Sequence, residues 1–533
     1  MKNQKLLLLS IFIVGLFISL CVHFALREGI VCWDEGGFLW DGYQVAKALA
    51  AADWSGFFRL SKSQFYYPFF QSWFLAFATL PFGYSVMSAR LVSSLLLIPT
   101  LLLIWLLAKK INPKARWGGV IAISLMITSP LILFYFSTAM KEGLGTVLTL
   151  LAFLVYFWAR GKANWLNFFW LSFLVLILTL TKYNYGIFVL VAFGAESLIW
   201  FFRKRDRQFW FSNLALYLPC AIVMAWWVSP PGYLKWFLDI LQNKYDWTLK
   251  QTNTLGHLLY YPMEMAFSYI FSWLAFIICL IGFVYCLKNL KNYRYRVPAI
   301  LFLGNFIMAT LHFGNNQARY IFTSVPLFFL LGGLGFEELA AKLRKIHLTG
   351  YWLGIALSLF VLCGFIFIKD LISLPAMIKP TASHQVGATL FYEKNYYWAA
   401  DERYDFRRGK WPNGALKNPP QKVDDIYEWI INSVDTREYV NLLSPINEIN
   451  PGLMAIYLES YRAKNKLIYN GQIEYQIVFA VQEGSRFDSL GYRAFSKPTI
   501  DQSQQLNFNP DYQKVAEEEF PYLGVKASVF KKL

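Results

Sequence analysis

Residues 6–43 read LLLLSIFIVGLFISLCVHFALREGIVCWDEGGFLWDGY. The opening 21 of these, Leu6–Leu26, carry no charge, and about 20 such residues make a helix long enough to cross a bilayer. Lys2 and Lys5 precede the run, but no small-residue cleavage site follows it, and Cys21 is preceded by Leu20 rather than a small residue. The segment therefore reads as an uncleaved membrane anchor and not as a secretory or lipoprotein signal. Just beyond it, Trp33-Asp34-Glu35-Gly36-Gly37-Phe38-Leu39-Trp40-Asp41-Gly42-Tyr43 sets two adjacent carboxylates among aromatics where the helix leaves the membrane. Partial desolvation there raises a carboxyl pKa and suits it to proton abstraction or cation binding. Taken alone, the pair reads equally well as a solvated acidic turn.

Working outward, similar apolar runs recur. After Leu6–Leu26 come Val86–Ala108, Trp117–Phe136, Gly143–Ala159, Trp165–Leu180 and Tyr183–Phe202, then roughly 209–228, 265–287, 297–313, 320–338 and 350–368. Eleven expected spans place the chain among polytopic α-helical membrane proteins. Only 16% of its 533 residues are charged, against about 25% in soluble domains, which excludes an ordinary cytosolic enzyme. The formal charge of +17 invites a nucleic-acid reading until it is located. Residues 1–368 hold 30 Lys and Arg against 13 Asp and Glu, whereas residues 369–533 hold 20 of each. The excess lies in the apolar part, so no nucleic-acid partner is expected.

With the N-terminus inside, the inner loops hold 19 Lys and Arg, in groups such as Lys109, Lys110, Lys114, Arg116 and Arg203, Lys204, Arg205, Arg207. The short outer loops hold only Lys141, Lys182 and Arg319. Retention of basic residues on the cytoplasmic side then gives the orientation: a cytoplasmic N-terminus, with long outer loops at 27–85 and 229–264. An odd number of spans puts residues 369–533 outside. That tail has balanced charge, turn-rich stretches such as Trp411-Pro412-Asn413-Gly414, a helix-like Val423–Val434, and strand-like Glu438–Leu443 and Tyr475–Val481, the pattern of a small α/β domain. None of the six cysteines lies in it, so no disulfide framework is expected there.

The polar residues at the outer ends follow a recurring order. Asp34-Glu35 opens the first outer loop, Tyr66-Tyr67-Pro68 and Trp73 follow, and Ala89-Arg90-Leu91 marks the second span. Then come Ser129-Pro130, the stretch Ser137 through Glu142, Thr181-Lys182 after the fifth span, and Arg319-Tyr320 closing His312-Phe313-Gly314-Asn315-Asn316-Gln317-Ala318. Over roughly residues 1–340, this order and topology resemble the type C (GT-C) membrane glycosyltransferases, specifically those like the protein O-mannosyltransferases and the lipid A aminoarabinose transferase.

The resemblance implies a sugar moved from a polyprenyl-phosphate donor, held at the bilayer surface, to a cell-envelope acceptor. It implies Asp34 as general base, inversion at the anomeric carbon, and substrate contacts from Glu35, Glu142, Lys182, Arg319, Tyr320, Tyr66 and Tyr67. Arg319 and Lys182 would face the donor phosphate, a task suited to a bidentate guanidinium. Each has a plainer reading: Glu142 beside Lys141 as an interfacial ion, Lys182 and Arg319 as side chains reaching for headgroups, Arg90 as a helix anchor or the partner of a loop acid. Relatives carry an acidic or basic residue beside a double proline where this chain reads Tyr66-Tyr67-Pro68-Phe69, so a divalent cation, Mg or Mn, is left open. Glu264 and the histidines are the remaining candidates for such a site. Competing classes are an envelope polysaccharide polymerase or ligase, which relies on basic and His residues in its loops, and a lipid or sugar transporter, which places charge near the midplane of broken spans.

Overall fold

A computed structural model describes residues 2–26, 34–64, 67–162, 164–203, 207–235, 238, 261–262, 265–266, 270, 273–311, 318–344, 429–443, 474–481, 505–520 and 525–533. Helix α1 (Lys2–Leu26) leads to α2 (Asp34–Ala50), α3 (Trp54–Ser63) and α4 (Phe70–Thr79), which fill the first outer loop. The bundle continues with α5 (Val86–Leu95), α6 (Leu97–Ile111), α7 (Gly118–Ile127), α8 (Pro130–Ser137), α9 (Lys141–Lys162), α10 (Trp165–Thr181), α11 (Tyr183–Arg203) and α12 (Arg207–Trp227). It ends with α13 (Trp273–Leu287), α14 (Tyr293–Leu311) and α15 (Val325–Arg344).

Among the described residues, five helical stretches are long and apolar enough to cross a membrane: Val86–Ile111, Lys141–Gly161, Tyr183–Phe202, Trp210–Trp227 and Phe322–Lys342. Gly118–Ile127 and Leu131–Ser137, bent by 69°, make a sixth if they form one span. The expected runs from Leu6–Leu26 through 320–338 all carry helix in their described parts, and the run at 350–368 lies outside the described residues. The lower count has local causes. Helix α10 is 17 residues long, and α14 begins Tyr-Arg-Tyr-Arg, which lowers its mean hydropathy. The bend falls at Ser129-Pro130, where proline has no N–H for the helical ladder and clashes with the preceding turn.

Burial separates inner from outer helices. Two thirds of Val86–Ile111, Lys141–Gly161 and Phe322–Lys342 is buried within the protein, against 22% of Trp210–Trp227. Helix α15 reaches the centre because Gly332, Gly333 and Gly335 let backbones meet. A Cβ on Gly335 would lie 1.9 Å from the Gly282 carbonyl oxygen, and one on Gly333 would lie 2.3 Å from that of Gly118. In the first outer loop, Asp53 caps α3 by accepting from the Gly56 N–H at 2.8 Å. Trp54 and Phe58 on α3 stay about 60% exposed, the character of a helix lying along a membrane surface.

The described part of the tail forms a four-stranded sheet in the order β1 (Tyr439–Leu443), β2 (Glu474–Val481), β4 (Val525–Lys532), β3 (Tyr512–Phe520). Strands β1 and β2 are parallel and the other pairs antiparallel, with a register shift between Lys514 and Ala516. Alternation along β2 supplies two faces. Val478 packs with Leu506 and Phe530, while Tyr475, Ile477 and Phe479 join one apolar cluster with Ile430, Leu442 and the bundle residues Leu39, Leu75, Ala89 and Ala139. The sheet thus packs against the end of the bundle that carries α2.

Candidate active site at one end of the bundle

Helix α2 begins at Asp34, whose side chain, like the whole of Tyr66, lies outside the described residues. Glu35 is 1% exposed. Its Oε1 accepts from Arg90 Nε at 2.8 Å and its Oε2 from Arg90 Nη2 at 2.7 Å. The Ala139 N–H donates to Oε1 as well, at 2.8 Å. One carboxylate therefore ties α2 to α5 and to the turn before α9. Gln71 on α4 grips the same turn, its Nε2 donating to the carbonyls of Ala139 and Met140 at 3.3 Å each.

That turn presents Lys141 and Glu142. The Lys141 ammonium is buried, donates to the Pro68 carbonyl at 3.1 Å, and sits 4.5 Å from the Phe38 ring centroid and 5.1 Å from that of Tyr67. Glu142 Oε1 accepts from Lys182 Nζ at 3.1 Å and from the Tyr185 hydroxyl at 2.9 Å, while Oε2 is buried with no hydrogen-bond partner among the described residues. Lys182, the C-cap of α10, also lies 5.4 Å from the Tyr67 ring centroid. Gly145, one turn after Lys141, makes room for Tyr185: a Cβ there would lie 2.5 Å from its ring. Tyr67 stacks on Tyr183, and Tyr183 on Trp227, so an aromatic wall borders the charges. Arg319, on the short turn Ala318–Tyr320, is 8% exposed and its charge bears on Glu142. Tyr320 is half-buried against the bundle core.

The structure thus gathers Glu142, Lys182, Arg319 and Tyr67, and gives Glu35 to Arg90. Reading the sequence missed Lys141, Asp41 and Tyr185. Signals for all three were present: Lys141 adjoins Glu142, Tyr185 follows Lys182 by three residues, and Asp41 follows Asp34 by seven residues and so shares its helical face. Burial pushes the Asp41 carboxyl up to about 6, an effect the Lys141 charge partly offsets. Burial, with the charges of Asp41 and Glu35, likewise raises the Tyr84 hydroxyl, which donates to the Leu39 carbonyl at 2.8 Å. Among the described residues, no three His, Cys, Asp or Glu side chains converge. Glu142 faces the Lys182 ammonium. Glu264 lies outside the described residues.

These features define an integral membrane protein whose helix ends and loops gather buried acids, bases and aromatic rings at one end of the bundle. The family described as "Dolichyl-phosphate-mannose-protein mannosyltransferase" matches residues 67–234, the stretch holding Tyr67, Arg90, Lys141, Glu142, Lys182 and Tyr185. The chain is similar in fold to the crystal structure of ArnT from Cupriavidus metallidurans bound to undecaprenyl phosphate: TM-score 0.54, 14% identity, 100% of this chain and 98% of that one. The apo-state structure of the same protein gives a TM-score of 0.53 at 13% identity with the same coverage. No curated protein sequence matches. Over its whole length the chain has the fold of that crystal structure.

Proposed function

We propose that the protein transfers a sugar from a polyprenyl-phosphate donor to a cell-envelope acceptor at the outer face of a bacterial inner membrane. The observation that carries this reading is the Lys141, Glu142, Lys182, Tyr185 and Arg319 cluster at one end of a GT-C fold, within or beside the segment that matches the mannosyltransferase family. A solved structure of that fold holds undecaprenyl phosphate, a lipid whose tail stays in the bilayer while its phosphate lies at the surface. Arg319 and Lys182 are suited to the phosphate oxygens, where they would stabilise the charge that grows as the carbon–oxygen bond to phosphate breaks. Asp34, opening α2, takes the proton of the acceptor hydroxyl or amine as that atom bonds to the anomeric carbon from the opposite side. Inversion follows, and polyprenyl phosphate leaves. The Glu35–Arg90 pair holds α2 in place, and the aromatic wall of Tyr67, Tyr183 and Trp227 offers ring faces to a sugar.

The test is transfer by purified protein from a radiolabelled polyprenyl-phosphate sugar to extracted envelope material. Asp34→Asn should lower transfer by at least about a hundredfold, the usual worth of a general base, with folding unchanged. Full activity of that variant, or retention of anomeric configuration, defeats the mechanism.

A further inference from the structure

At the opposite end of the bundle, α9, α11 and α14 converge on a guanidinium. Arg160 lies near the end of α9, 18 residues beyond Glu142 and so about 27 Å along the helix. Its guanidinium carbon is 3.5 Å from the Trp200 ring centroid and 5.5 Å from that of Tyr293. Its Nε is buried and makes no hydrogen bond among the described residues. The same holds for the hydroxyl of Tyr156, one turn earlier on the same helical face and 1% exposed. The buried acid at this end, Glu196, is committed elsewhere: Arg296 donates to it twice, Nε to Oε2 at 2.7 Å and Nη2 to Oε1 at 2.8 Å. Arg296 Nη1 donates to the Leu290 and Lys291 carbonyls. Among the described residues, no carboxylate lies within ion-pair distance of Arg160.

Two observations fix the surroundings. Exposed Trp158, Trp165, Phe202 and Trp210 crowd the same end, as aromatic residues do at the depth of lipid headgroups. The nearby chain adds Lys288, Lys291 and Arg294, so the local charge favours anions. With the Trp200 ring 3.5 Å behind it, the guanidinium has N–H donors for the oxygens of one group, and the unpartnered Tyr156 hydroxyl supplies a further donor.

We propose that Arg160 and Tyr156, backed by Trp200 and Tyr293, bind the phosphodiester headgroup of an anionic membrane lipid. The site is independent of the transfer reaction. Its test is thermal melting of the purified full-length protein in neutral detergent, titrated separately with phosphatidylglycerol, phosphatidylcholine and inorganic phosphate. Phosphatidylglycerol should stabilise saturably, and the other two should not. Because a charge-assisted hydrogen bond is worth about tenfold in affinity, Arg160→Gln should weaken phosphatidylglycerol about tenfold and Tyr156→Phe about threefold. Lys114→Gln, which removes an exposed charge at the same end, should leave affinity unchanged. Wild-type affinity in Arg160→Gln overturns the site. Should that variant fail to fold, unchanged affinity in Tyr156→Phe does so. Equal stabilisation by inorganic phosphate overturns the lipid as ligand, and equal stabilisation by phosphatidylcholine overturns the preference for an anionic headgroup.

Discussion

Two acids of α2, Glu35 and Asp41, differ in environment more than in chemistry. Asp41 has its carboxyl raised from 3.8 to about 6 by burial. A raised carboxyl binds its proton more tightly in the folded state than in the unfolded chain. Stability from this group is therefore highest below about 4, declines as pH rises towards 6, and is flat above that. Asp41→Asn should melt higher than wild type at pH 7.5, by about 1–2 kcal/mol after discounting for partial exposure. The gap should close towards pH 4; a constant gap across pH refutes the assignment. For Glu35 the sign reverses, because losing one partner of a buried pair strands the other. Glu35→Ala should cost about 3–5 kcal/mol, read as a lower melting temperature, and Arg90→Lys should not substitute for the two-pronged contact. The polar residues at span ends, Asp34, Glu35, Glu142, Lys182 and Arg319, were legible in the sequence because charge stands out against apolar runs. Which acid meets which base was not. Glu35 finds Arg90 across 55 positions and Glu142 finds Lys182 across 40, and helical periodicity does not reach that far.

Among the elements, the apolar runs declared the helices, whereas the bend of 69° at Ser129-Pro130 falls inside Trp117–Phe136, which reads as one span. The packing of α13 on α15 was less visible. Its glycines read singly as helix weaknesses, and only their facing positions turn them into a contact. A Cβ on Gly282 would sit 2.0 Å from the Gly332 carbonyl oxygen, a backbone atom with no rotamer to escape into. Small residues are what let membrane helices approach this closely. Gly282→Ala should therefore cost about 1–3 kcal/mol of overpacking. At Gly304 nothing lies within 4 Å of the place a Cβ would take, so Gly304→Ala should be neutral or gain up to about 1 kcal/mol from helix propensity. Melting both variants in detergent checks the contrast, and equal effects would remove the close contact as its cause. The tail strands β3 and β4 escaped sequence reading for a different reason. Three consecutive glutamates in Tyr512–Phe520 and the lysines of Val525–Lys532 blur the apolar alternation that marks β2.

For the whole molecule, two separate lines of evidence meet on sidedness. Basic residues collect in the loops at one end of the bundle, 19 of them in the segments read as inner. The cluster of Lys141, Glu142 and Lys182 stands at the other end, and there the tail sheet shares an apolar cluster with Leu39, Leu75, Ala89 and Ala139. The first line is electrostatic and concerns insertion; the second is packing and concerns the folded state, so neither implies the other. Together they predict that a tail residue and an inner-loop residue lie on opposite sides of one membrane. Arg437 and Lys114 are both surface residues suited to the test: the Arg437 guanidinium pairs with neighbouring Asp435 at an exposed position, and Lys114 lies exposed in the loop after α6. With the six native cysteines replaced, Arg437→Cys should react in intact cells, once the outer membrane is permeabilised, with a maleimide that cannot cross the inner membrane. Lys114→Cys should react only after that inner membrane is opened. Labelling of both from the same side would place the tail sheet and the basic loops together, and would remove the outer face as the site of transfer.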